Sequence, residues 1–220
     1  MKLVEGKAPL RRILKWTQRA FFASAILLLG YCGFGLADAW IFQARESGNL
    51  DRQLRDERAA SARAPQPQSS TSLKGAPARA RDGLIGRILI PRLRLSVVVV
   101  EGVDRTALRR AAGHIPGTAL PGEAGNIGLA GHRDTFFRSL KDLRINDEIQ
   151  FSSLKGNFKY EVESLRVVAP DNVGVLAPSG VNVLTMVTCY PFYFVGPAPK
   201  RWIVRARQVS PRMAPLSTVE

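Results

Sequence analysis

One cysteine, one histidine and one arginine in this sequence have the types and settings needed to make a thiol nucleophile work. Cys189 closes Leu184-Thr-Met-Val-Thr-Cys189, an apolar run that reads as a strand and opens into Tyr-Pro-Phe-Tyr-Phe-Val-Gly-Pro. A strand end is a rigid place from which to present a nucleophile, and the attacking species is the thiolate. The competing reading is a buried structural cysteine. His132 lies just past another apolar strand, in Gly131-His132-Arg133-Asp134. Its imidazole can give a proton to a leaving amine and take one from an incoming amine. Arg201, in Lys200-Arg-Trp-Ile-Val204, begins the last strand and could return beside Cys189. A guanidinium there can offer forked donors to a substrate carbonyl or a developing oxyanion, whereas a solvated edge-strand charge is the plain alternative.

Three further residues are secondary candidates for contact with a substrate. His114 sits in a long Gly/Pro loop, His114–Glu123, where it could line a groove or serve the loop. Thr188 adjoins the thiol. Asp134, two residues past His132, could orient the imidazole, but the chain turns there and a structural salt bridge is the plainer expectation. Glu123 and Asp171 are too scattered to make a calcium site, which needs clustered oxygen ligands. Neither a metal nor a cofactor is expected.

The elements that must carry these residues begin at Gly83. Short β-rich runs follow, Gly86–Ile90, Leu93–Glu101, Asn126–Gly131, Glu148–Ser152, Phe158–Val168, Val181–Thr188 and Trp202–Val209, separated by turns. Asp104 is a good N-cap for a short helix over 105–112, and another short helix is expected near Thr135–Leu140. Seven or eight short strands with little helix predict an all-β fold closed into a barrel.

The chain has 220 residues, 45% hydrophobic and 23% charged, enough for one domain and an appendage. That composition excludes global disorder, and two cysteines exclude a disulfide-built scaffold. Residues 1–19 form a basic tail. The apolar run over 20–42 is long enough to cross a bilayer, and the basic residues before it should hold the N-terminus in the cytoplasm. The rest of the chain would then lie outside the cell membrane, anchored by a single pass. Ala37-Asp-Ala39 resembles a leader-peptidase site, so a cleaved leader is the alternative, although the apolar run exceeds the usual leader length. Residues 43–82 read as a charged, solvated helical stalk followed by a Pro/Ser-rich linker, 83–210 as the catalytic domain and 211–220 as a tail. The net charge of +14 is spread thinly beyond the first nineteen residues and forms no dense basic stripe with interleaved aromatics. Nucleic acid is therefore not an expected partner.

Taken together and in order, Gly113-His-Ile-Pro-Gly-Thr, Pro121-Gly-Glu-x-Gly-Asn126, Ala130-Gly-His-Arg-Asp-Thr-Phe-Phe137, Leu140-x-x-Leu-x-x-x-Asp147, Thr185-Met-Val-Thr-Cys189 and Lys200-Arg-Trp-Ile-Val resemble a sortase, most of all class D sortases. The set spans about residues 84–208. Met186 stands where the family usually has Leu, a volume-conserving swap. The N-terminal segment lacks the Asp-Pro-aromatic lid of many pilus-building sortases. The resemblance implies an eight-stranded barrel with Cys189, His132 and Arg201 as its catalytic residues. It also implies partners: secreted proteins ending in a Leu-Pro-x-Thr-Gly-like sorting signal, and an amine acceptor such as a cell-wall peptide. A membrane-anchored cysteine peptidase using water, and a non-catalytic peptide- or wall-binding barrel, are the rival readings. The Ser-x-Gly-Cys setting of L,D-transpeptidases is missing around Cys189.

Overall fold

The structure is a computed structural model and describes residues 7–63 and 83–210. The expected linker over 64–82, the tail over 211–220 and the first six residues of the basic tail lie outside the described residues.

Helix α1 runs from Lys7 to Arg63. Within it, Arg12–Asp56 contains the one stretch among the described residues long and apolar enough to cross a membrane. Up to Ile41 its large apolar side chains, from Ile13 through Phe21, Leu28 and Trp40, are exposed all round, as a span facing lipid would be.

From Phe42 onward the chain folds around a barrel. Its strands are β1 (Leu84–Ile90), β2 (Leu95–Glu101), β3 (Ala112–His114), β4 (Asn126–Ala130), β5 (Glu148–Ser153), β6 (Gly156–Val168), β7 (Val183–Tyr190) and β8 (Lys200–Ser210). They close in the order β1-β2-β3-β4-β7-β8-β6-β5, with β5 paired back to β1. Closure removes the exposed sheet edges that so many short strands would otherwise leave. β2/β3 and β4/β7 are the parallel pairs. Inside, Ile88, Val97, Val99, Ile127, Leu129, Phe151, Tyr160, Leu184, Met186 and Val204 form one continuous core.

The expected strands are all present, with ends shifted by a few residues, and the barrel is closed as expected. β3 is additional: it is only three residues long and takes in His114, a residue expected in a loop. Helix α2 spans Arg105–Arg110, and Asp104 caps it by accepting from the amides of Thr106 and Ala107. The second short helix is a 3-10 turn at Arg138–Asp142, slightly later than expected.

The segment after residue 42 is helical as expected, but over Phe42–Leu54 it packs against the barrel and is not fully solvated. Val98 and Val100 point out of the barrel, and Leu50 covers them with Leu84 and Ala111 in a second apolar cluster where Leu50 has no exposed surface. Phe42 and Leu54 pack on the same cluster. Gln43 accepts from the amide of Val98 at 2.9 Å and donates to the carbonyl of Arg110 at 2.6 Å, and Asp51 pairs with Arg87 at 2.8 Å. Leu50 and Leu54, one turn apart, make only a narrow apolar face; Val97–Val100, buried on both faces, supplies the other half of the contact.

Candidate active site

Alternation along β4, β7 and β8 divides the side chains between the barrel interior and its outer face. Ile127 and Leu129, Leu184 and Met186, and Val204 and Ala206 face inward. Asn126, Gly128 and Ala130, then Thr185, Val187 and Cys189, then Arg201, Ile203 and Arg205, share the outer face. Cys189 lies opposite Arg201 in the antiparallel β7/β8 pair, so the two side chains are neighbours on that face.

The parallel β4/β7 pair brings in the histidine. Ala130 stands beside Val187, and the ladder continues past the end of β4, because the amide of Gly131 donates to the Val187 carbonyl at 3.2 Å. One residue further, the same offset sets His132 level with Cys189. By that offset His132, just past the end of β4, falls in line with Cys189 on β7 and Arg201 on β8, and all three are half-buried. Gly131 is required for this path: a Cβ there would lie 2.6 Å from the ring of Phe137. Arg201 donates through Nη1 to the carbonyls of Ala198 and Lys200, leaving its other nitrogens without a partner among the described residues.

Two loops wall the outer face next to the row. At Gly128 a Cβ would meet Thr118 Cγ2 at 2.9 Å and Leu176 Cδ2 at 3.0 Å, so the loop after β3 and the 3-10 turn Val173–Leu176 close over the strands there. Asn126 holds the second wall by donating to the carbonyls of Val175 and Ala177, while its own oxygen accepts from Thr185 at 2.7 Å. Neither Asn126 nor Thr185 was singled out from sequence. The available signal was an asparagine opening an otherwise apolar strand, since a buried amide needs partners.

The secondary candidates stand elsewhere. His114 is 2% exposed, with Nδ1 3.1 Å from Glu101 Oε2 and Nε2 3.0 Å from both Thr118 Oγ1 and the Ala119 carbonyl. It is closed off from any groove and holds the first wall loop in place. Thr188 faces inward, 2% exposed, and donates to the Gly131 carbonyl at 2.7 Å. It fastens the ladder behind the row and is out of reach of a ligand on the outer face. Asp134 is exposed and makes neither the salt bridge expected of it nor a bond to His132 among the described residues. No cluster of three or more potential metal ligands occurs among the described residues.

A family model described as the sortase domain matches residues 88–209, more than half of the chain. Sortase D of Bacillus subtilis (strain 168) is 30% identical over 198 residues, covering 86% of this chain and 95% of that protein. This chain belongs to the sortase family. Its barrel is correspondingly similar to solved sortases. A Clostridium perfringens Sortase D5 transpeptidase matches with a TM-score of 0.53 at 32% identity, over 57% of this chain and 79% of that one. A lid mutant of sortase A from Corynebacterium diphtheriae matches with a TM-score of 0.56 at 31% identity, over 64% and 77%. The protein is a cysteine transpeptidase of the sortase type, and sortases are enzymes that anchor proteins.

Proposed function

We propose that this sortase cleaves a Leu-Pro-x-Thr-Gly-like C-terminal sorting signal and transfers the upstream protein to an amine acceptor, with Cys189, His132 and Arg201 as its catalytic residues. The row that the two strand registers make of these three side chains carries the reading. The thiolate of Cys189 attacks the carbonyl carbon of the scissile bond, and the carbonyl electrons move to an oxyanion faced by the Arg201 guanidinium. Collapse breaks the C–N bond, His132 gives its proton to the leaving amine, and a thioester remains on Sγ. The acceptor amine then attacks that thioester, gives a proton to His132 and expels the thiolate. A bound amine has an effective-concentration advantage over bulk water, so transfer outruns hydrolysis.

The substrates in this reading are secreted proteins carrying the sorting signal, and the acceptor is a cell-wall peptide or another amine. The enzyme sits in the cell membrane as a single-pass protein, N-terminus cytoplasmic and barrel outside. Support comes from the apolar stretch of α1 and the basic residues preceding it. The test incubates a Leu-Pro-x-Thr-Gly peptide with candidate amines and follows products by mass spectrometry. The expected result is an amide-linked product that Cys189→Ala abolishes. Fast cleavage with no amine ever entering the product would make the protein a peptidase instead.

A further inference from the structure

The arginine next to His132 performs a task that the reaction scheme above does not use. Arg133 turns away from the row and reaches the loop that joins β7 to β8, Pro191 to Pro199. Its Nη1 donates to the Pro191 carbonyl at 3.0 Å, and its Nη2 to the carbonyls of Phe194 at 2.6 Å and Gly196 at 3.0 Å. The same guanidinium lies 5.9 Å from the centre of the Phe194 ring. That loop leaves directly from Cys189 and Tyr190 and returns directly into Lys200 and Arg201. Its tip is open to water, with Tyr193 74% and Val195 95% exposed. Within it, one weak backbone bond, Phe194 to Pro191 at 3.4 Å, closes the first turn. Arg201 in turn donates to Ala198 and Lys200, so its position follows the loop's.

We propose that Arg133 is a positioning residue, a clamp that ties the segment carrying His132 to the loop between Cys189 and Arg201 and so fixes all three relative to one another. The inference rests on reading those three as the catalytic set. The chemistry suits arginine alone: three carbonyls spread along six residues need several donors in a fixed planar fork, and a carbonyl can only accept. A lysine ammonium at the end of a flexible stem can reach one or two of them. Misplacing reacting groups by about an ångström costs on the order of 100-fold in rate, so loosening the clamp should appear in turnover and leave the fold intact.

The experiment compares full-length parent, Arg133→Ala, Arg133→Lys and Cys189→Ala with a Leu-Pro-x-Thr-Gly peptide and an amine acceptor. Turnover of the parent and the Arg133 variants is expressed per Cys189 thiol, titrated by alkylation and read by mass spectrometry of the Cys189 peptide so that Cys32 does not contribute; that of Cys189→Ala is expressed per mole of protein. Arg133→Ala should lower kcat by about 10–100-fold, leave KM within a few-fold and keep the parent's melting temperature within a few degrees. Arg133→Lys should recover only part of the loss. Turnover per titrated thiol within twofold of the parent overturns the proposal. Full recovery by lysine also overturns it, since charge alone would then suffice. So does a loss matched by falling thiol titre and melting temperature, which marks a merely structural residue. Turnover surviving in Cys189→Ala would instead overturn the reading of the site, and the clamp with it.

Discussion

Thr188 stands next to Cys189 in sequence yet faces the barrel interior, where its hydroxyl donates to the Gly131 carbonyl and holds the chain in register just before His132. Replacing it with Val keeps shape but leaves that carbonyl buried without its donor, at a cost of about 1–3 kcal/mol. Thr188→Val should therefore lower the melting temperature and cut kcat/KM by about 10-fold or more, while Thr188→Ser keeps most of both; peptide cleavage and thermal melts on the two variants check this. Arg201 acts at the same scale. Arg201→Ala should slow kcat/KM by roughly 10²–10³, the size of an oxyanion-donor deletion, and Arg201→Lys should restore only part, as steady-state kinetics would read. Side-chain types were legible in the sequence: a thiol at a strand end, a histidine past another strand, an arginine opening a third. Their adjacency was not, because it depends on the register between β4 and β7, strands some fifty residues apart that are hydrogen-bonded in parallel. For the same reason His114, Thr188 and Asp134 looked alike as candidates, and only their burial in the fold separates two buried fasteners from an exposed carboxylate.

Strands and their order of appearance could be read from short apolar runs between turns, whereas β3 could not, since three residues carry no periodicity. The cover over β2 was half visible. A run of four valines buried on both faces demands something outside the barrel, and Leu50 is what meets it. Leu50→Ala removes that contact at a cost of about 2–5 kcal/mol, toward the lower end if the helix settles into the space. Chemical denaturation should show the loss as a lower midpoint at unchanged slope. A second element-scale tie joins the 3-10 turn after β1 to the start of β5. Arg92 donates through Nε and Nη2 to the two oxygens of Asp147, at 2.6 and 2.5 Å, and the Arg144 amide adds a bond at 2.7 Å. The hydrogen-bonded Arg92 guanidinium holds the Asp147 carboxyl below the usual carboxylate range, against the opposing effect of burial. A carboxylate with a depressed folded pKa contributes stability that is fully present above its unfolded value, about 4, and lost as pH falls through the folded value. Asp147→Asn should thus melt below the parent at pH 7, with the gap closing as pH drops below about 4. A gap that stays constant down to pH 2 would show that the carboxylate's charge is not what stabilises this corner.

At the scale of the whole molecule, closure of the barrel separates two tasks onto opposite walls. In the strand order, β1 and β2 lie across the barrel from β7 and β8, so the segment Phe42–Leu54 covers one wall while the row of His132, Cys189 and Arg201 occupies the other. The sequence placed the domain's beginning at residue 83, where the texture turns to strands; the folded unit also takes in the helical segment from Phe42, whose polar look hides one well-placed leucine. A chain starting at Phe42 should therefore keep the apolar cover, and a chain starting at Gly83 should lose it, leaving Leu84, Val98, Val100 and Ala111 facing water. With Leu50 alone worth about 2–5 kcal/mol, and each kcal/mol worth about 2–4 °C in a domain of this size, the shorter chain should melt roughly 10 °C lower. Its kcat/KM toward a sorting-signal peptide, measured well below both melting temperatures, should stay within a few-fold, because core strands hold the far wall in register without the helix. Equal melting temperatures would show that the helix only rests on the barrel. A large loss of activity at low temperature would show that the two walls are coupled, and that the covering segment takes part in shaping the site.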